Sequence, residues 1–204
     1  MATHASDQQQ IARRFLAQKT ETNPGDSILD ICTGTGSVLL RHQDRVGKDG
    51  VVVGVDFSRG MLKVAKKKVT DHSKPLLVQA DVAFLPLKEG RFHAVTCSHA
   101  FYELKGETAR QCLGEVVRIL KRGKRFLMME HDVPKRLPIR ILFYIRIFSM
   151  GFKKALEILK NEDALFKAYF GSVQKVRTET GRSKILIGKK TVPDRIGGIE
   201  SRVV

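Results

Sequence analysis

The sequence predicts one α/β domain: an open, mostly parallel sheet with helices on both faces and an antiparallel hairpin strand at its C-terminal end. Three observations predict it. Short apolar strands alternate with helical stretches from about Ser27 to His131, the pattern of βαβ units with right-handed crossovers. One strand, Val51–Asp56 (VVVGVD), is a continuous β-branched run, as suits a parallel strand covered on both faces. Glycines and acids gather at strand carboxyl ends, where open parallel sheets bind ligands.

The elements follow in order. Asp7–Lys19 reads as a short leading helix, and Asn23-Pro-Gly-Asp as a turn. Ser27–Cys32 is the first strand, running into Thr33-Gly-Thr-Gly-Ser and a helix over Val38–Arg45. Gly47–Gly50 turns into the second strand. Ser58–Val69 is a helix with Met61, Leu62, Ala65 and Val69 on one side and Lys63, Lys66 and Lys67 towards solvent. Leu76–Ala80, Ala94–Ser98 and Phe126–Glu130 are the third to fifth strands, and Thr108–Leu120 is a helix. Val173–Thr178 and Ser183–Gly188, around a Glu179–Arg182 turn, form the hairpin.

Composition sets bounds. A chain of 204 residues holds one domain with a proper core. The polar N-terminus lacks a secretory signal, and Cys32, Cys97 and Cys112 lack metal or disulfide spacing. A reducing cytoplasm is the expected compartment. The apolar stretch Leu137–Phe152 is interrupted by Pro138, Arg140 and Arg146, too short and charged to span a bilayer. Net charge is +16, and Lys121–Lys160 holds eleven Lys or Arg against three acids. An anionic surface or partner fits such charge, which speaks to association rather than fold.

Three strand ends carry chemistry. The first ends in Asp30-Ile-Cys-Thr-Gly-Thr-Gly36, whose Gly34 and Gly36 permit positive φ and close ligand approach. The second ends in Asp56, placed to accept hydrogen bonds from ribose hydroxyls. The third ends in Asp81, before an apolar loop in which Val82 or Phe84 can pack on a purine. A dinucleotide fold would need a third glycine opening the helix; Ser37, Val38 and Leu39 stand there instead.

ILDICTGTGSVLL, VVVGVDFSRGMLKVAKKK, VQADVAFLPLKEGRFHAVTCSHAFYEL and GEVVRILKRGKRFLMMEH resemble the successive motifs of class I S-adenosylmethionine-dependent methyltransferases. The nearest flavour is the type 11 group, which includes the ubiquinone/menaquinone biosynthesis methyltransferases. The likeness is strong over Gly25–His131. It implies a Rossmann-like sheet and S-adenosylmethionine as cofactor. Asp30, Gly34 and Gly36 match the family's glycine motif, with Cys32 in place of its first glycine. Asp56 matches the ribose acid and Asp81 the adenine acid. The implied cofactor set is Asp30, Cys32, Thr33, Gly34, Gly36, Asp56, Phe57, Met61, Asp81, Val82 and Ser98. Phe92-His93 departs from the usual Phe-Asp, and Lys121-Arg-Gly-Lys124 from Lys-Pro-Gly-Gly.

Methyl transfer needs the acceptor positioned, and a base where it must lose a proton. His99, Tyr102 and His131 are the candidate catalytic residues, with Glu103 and Glu130 beside them. Cys97 lacks the preceding proline of cytosine-C5 enzymes and reads as a packed thiol. The domain is expected over residues 1–190, with 131–170 as an acceptor-side lid and 191–204 as a tail. The apolar lid points to a small or lipid-like hydrophobic acceptor and to peripheral contact with an anionic membrane. The alternatives are an RNA methyltransferase using the basic strip, and a non-catalytic module that binds S-adenosylmethionine.

Overall fold

The computed structural model describes residues 2–69, 75–104, 107–132, 137–138, 140–142, 145, 161–178 and 181–191, with backbone alone for 2–8. The expected tail after Thr191, most of the expected lid and half of the Glu179–Arg182 turn lie outside these residues.

Seven strands form one sheet in the order β3-β2-β1-β4-β5-β7-β6. They are β1 Ser27–Ile31, β2 Val51–Asp56, β3 Leu76–Gln79, β4 Phe92–Ser98, β5 Leu120–His131, β6 Ser172–Arg177 and β7 Ser183–Lys189. β1 pairs in parallel with β2 and β4, so strand order reverses there. β7 runs antiparallel to both β5 and β6. This is the predicted Rossmann-like architecture, hairpin included.

The helices are α1 Ala2–Lys19, α2 Leu39–Val46, α3 Arg59–Lys68 and α4 Thr108–Ile119. Residues alternate across each strand, so each face of the sheet has its own core. Leu29, Ile31, Val53 and Val95 pack with Cys112, Leu113 and Val116 of α4 and with Phe166. On the other face Ile28, Val52 and Ala94 pack under Leu39 and Val46 of α2. Ala12 and Leu16 of α1 cover Val38, Leu127 and Met129. α1 thereby lies beside the entrance to α2, which matters for the site.

β5 is longer than the expected Phe126–Glu130. Leu120 already pairs with Phe92, and the register then jumps so that Ala94 meets Arg125. The four intervening residues bulge out, with Gly123 at φ +71°.

Candidate functional site

A cleft of about 880 Å³ opens where β1 and β4 diverge, at the carboxyl ends of the parallel strands. Asp30, Cys32, Thr33, Gly34, Asp56, Phe57, Met61, Asp81, Val82 and Ser98 all line it. Strand topology brings them together from four separate stretches of chain.

The loop after β1 is held in left-handed backbone. Cys32, Gly34 and Gly36 have φ of +51°, +55° and +69°. Cys32 keeps the turn of the glycine it stands for, in a conformation that costs an L-residue about 1–2 kcal/mol. A Cβ built on Gly34 would meet no protein atom within 4 Å, so the strain lies in its φ and the backbone is open to a ligand. Gly36 has another job. It is absent from the cleft wall, and a Cβ there would press on Ala65 Cβ at 3.0 Å. At Gly36 the loop packs closely on α3, which leaves no room for a side chain.

The three acids differ in setting. Asp30 is buried. Its carboxylate accepts from Thr96 Oγ1 at 2.6 Å and Thr33 Oγ1 at 2.7 Å, and burial raises its pKa to about 6. Thr96 spends its one proton on Asp30, so it accepts from His42 Nε2 at 2.9 Å. Burial, with the charge of Arg45, lowers His42 to about 3, which keeps it a neutral donor. Asp56 accepts from the amides of Gly34 and Ser58 at 2.7 and 2.8 Å. Asp81 is exposed and accepts from the Ala83 amide at 2.9 Å. Val82 lines the cleft below it, whereas Phe84 is exposed and off the wall.

The catalytic candidates separate. His99 lines the cleft at φ +54°, with Nδ1 buried and unpartnered among the described residues. Burial, then the charges of His131 and Arg13, lowers its pKa to about 4. The His131 ring lies against it, tilted by 31° with centroids 4.3 Å apart, but is exposed and off the wall. Tyr102 is turned away: its hydroxyl donates to Glu162, and burial and that bond raise its pKa. Glu162 also accepts from Lys184 at 2.6 Å, an ion pair almost wholly buried. Glu130 caps the turn Phe101–Glu103 by accepting from the Phe101 amide at 2.8 Å, and burial raises it to about 7. Glu103 itself lines the cleft. Cys97 is a packed thiol, raised by its contact with Cys32 and by burial.

The sequence reading missed Arg13, Thr35, Ser37, Ala100, Leu104 and Thr108 on the wall. Thr35 and Ser37 sit inside the glycine motif and were in view. Arg13 had no local signal.

Residues 28–123 match a family model described as a methyltransferase domain. The demethylmenaquinone methyltransferase of Symbiobacterium thermophilum is 36% identical over 136 residues, 65% of this chain and 53% of that protein. The 2-phytyl-1,4-naphtoquinone methyltransferase of Nostoc sp. is 34% identical over 137 residues, 65% of this chain and 58% of its own. The chain thus spans a little over half the length of these curated relatives. Among solved structures, a chain of the complex between the Haloferax volcanii Trm112 methyltransferase activator and a methyltransferase aligns with a TM-score of 0.72 at 17% identity, covering 93% of both chains. A methyltransferase from Aquifex aeolicus aligns with a TM-score of 0.64 at 18% identity, covering 87% of this chain and 88% of its own. With the motif residues gathered at one switch-point cleft, the matches agree: residues 28–123 match a methyltransferase domain, and the chain resembles the class I S-adenosylmethionine-dependent methyltransferases of the type 11 group.

Proposed function

We propose that the chain transfers a methyl group from S-adenosylmethionine to a small, hydrophobic, quinone-like acceptor. The observation that carries this reading is the row of Asp30, Asp56 and Asp81 at successive strand ends in one cleft, beside a backbone left open at Gly34. The names of the relatives, which act on menaquinone-type and phytyl-naphthoquinone compounds, support the acceptor class.

The residues divide the work along the sheet. Asp81 and Val82 hold the adenine, and Asp56 the ribose. Phe57 and Met61 cover them from the solvent side. Asp30, Cys32 and Thr33 shape the floor beneath the methionine moiety. When bound, the cofactor supplies an activated methyl on a positive sulfonium, so the protein's part is alignment and exclusion of water. Ser98 and His99 face that end of the cleft. His99 is neutral at pH 7 and meets the acceptor as a hydrogen-bonding group rather than a resident positive charge. Tyr102 and His131 serve outside the cleft, the first by holding its turn and the second by lying against His99.

Leu137, Ile141, Leu142 and Ile145 are helical and exposed, next to an exposed Arg140. At helical spacing, intervals of four and eight residues would set Leu137, Ile141 and Ile145 on one side. We read this apolar stripe as a site for brief contact with an anionic bilayer, the source of a lipid-like acceptor. No described helix is long and apolar enough to cross a membrane.

The test is methylation of a demethylated naphthoquinol by purified protein, read by mass spectrometry as product and S-adenosylhomocysteine. Cofactor binding without turnover on any quinol overturns the acceptor. Failure to bind S-adenosylmethionine overturns the whole reading.

A further inference from the structure

Among the described residues, four acids line the cleft, Asp30, Asp56, Asp81 and Glu103, against one fully basic side chain, Arg13. Arg13 arrives from α1, which is fixed in place by Ala12 and Leu16 packing on Val38, Leu127 and Met129. That packing sets Arg13 on the same cleft wall as Ser37 and His99, near enough for its charge to act on His99. Among the described residues no carboxylate pairs with it, whereas Arg118, Arg125 and Arg177 each pair with an acid. Burial lowers its pKa from the ordinary value, a sign of lost hydration without a compensating anion. An arginine set in a cleft with its fork unoccupied is suited to a carboxylate, which it grips by two parallel hydrogen bonds.

The order of the strands says which carboxylate. With adenine at Asp81 on β3 and ribose at Asp56 on β2, the methionine moiety falls at the β1 loop and the end of β4. That is where Arg13, Ser37 and His99 stand. The cofactor has two positive groups, sulfonium and ammonium, and one negative, the carboxylate. The cleft mirrors this with several acids and one cation. Lys68, the other cation near the loop, is engaged by the hydroxyls of Thr35 at 3.1 Å and Ser37 at 3.2 Å and is not on the wall. We infer that Arg13 is the carboxylate-binding residue of the cofactor site, reading the amino-acid end of S-adenosylmethionine from the N-terminal helix. The inference rests on the cofactor orientation proposed above.

Calorimetric titration with S-adenosylmethionine and with decarboxylated S-adenosylmethionine tests it, because the two differ by the carboxylate alone. The parent protein should bind the decarboxylated compound roughly tenfold to a hundredfold more weakly, the range of a charge-assisted bond. Arg13→Gln should weaken S-adenosylmethionine by a similar factor and leave the decarboxylated compound unchanged. Arg13→Lys should recover part of the loss. Thermal melting of each variant keeps folding separate from binding. Equal weakening of both compounds in Arg13→Gln overturns the inference, as does unchanged cofactor affinity with a raised acceptor KM. A parent protein that binds neither compound overturns the methyltransferase reading itself.

Discussion

The Asp56 carboxylate holds the Gly34 amide at 2.7 Å, joining the end of β2 to the loop after β1. Its other oxygen takes the Ser58 amide at the start of α3. The acid proposed to bind the ribose is therefore pre-oriented by the same loop proposed to approach the rest of the cofactor. Asp56→Ala should weaken S-adenosylmethionine binding by about 1.5–3 kcal/mol, the range for hydrogen bonds to a charged group. Titration calorimetry decides it, and unchanged affinity in a folded variant sinks the ribose assignment.

The two loop glycines should fail in different ways. Gly34→Val places a β-branched residue at positive φ on the open side of the loop, so cofactor binding should be lost while the sheet survives. Gly36→Ala meets Ala65 and should show first as instability, on the order of 1–3 kcal/mol. Circular dichroism melts beside cofactor titrations separate the two. Equal loss of binding and stability in both variants would contradict this division.

Cofactor affinity should depend on pH through Asp30. Its carboxyl ionises near 6 in the fold against 3.8 ordinarily, so the folded state holds the proton longer. Its contribution to stability therefore falls as pH rises from about 3.8 to about 6. A positively charged cofactor favours the ionised form. Affinity should rise with pH towards 6 and then level, with a proton released on binding below that point. Asp30→Asn should flatten this rise. Glu130, near 7, is off the cleft wall, and its own titration should survive the change. A rise that persists unaltered in Asp30→Asn would show that another group carries it.

Tyr102 and Glu162 are expected to matter for stability. Glu162→Ala leaves Lys184 buried without its anion and should cost about 3–5 kcal/mol in urea unfolding. A Glu162→Leu, Lys184→Met pair should restore much of that. A Glu162→Ala protein of parental stability would mean that the pair is not buried in solution.

The apolar stripe gives a contrast by lipid. Leu137→Ser, Ile141→Ser and Ile145→Ser together should abolish sedimentation with phosphatidylglycerol vesicles, each side chain contributing about 1.5–3 kcal/mol when fully buried. Turnover of a detergent-dispersed acceptor should change less. Vesicle binding that survives the triple change would remove this face from consideration.

Much of this site was legible because its residues announce themselves locally. Asp56 and Asp81 end apolar strands, and the glycines break the pattern between a strand and a helix. The residues that escaped depend on tertiary placement. Arg13 is one cation on a polar helix and reads as solvent-facing until α1 docks beside α2. Glu162 and Lys184 carry no local sign of burial, because each is buried against the other. The start of β5 was hidden by Lys121-Arg-Gly-Lys124, whose bulge carries no apolar alternation. The motif that singled out Gly36 carries no sign of the Ala65 packing that also constrains it.

Lys184 has a wider consequence. It faces Glu130 across the β5–β7 ladder, one residue before β5 ends, and it binds Glu162. The chain segment from Glu130 to Glu162 thus begins and ends at a single lysine. Closure entropy grows slowly with contour length, by about 0.6 kcal/mol for each doubling. Lengthening, shortening or exchanging that polypeptide should therefore leave the cofactor domain standing. On the acceptor role proposed for this segment, one scaffold can be refitted to acceptors of different size by exchanging residues 133–160.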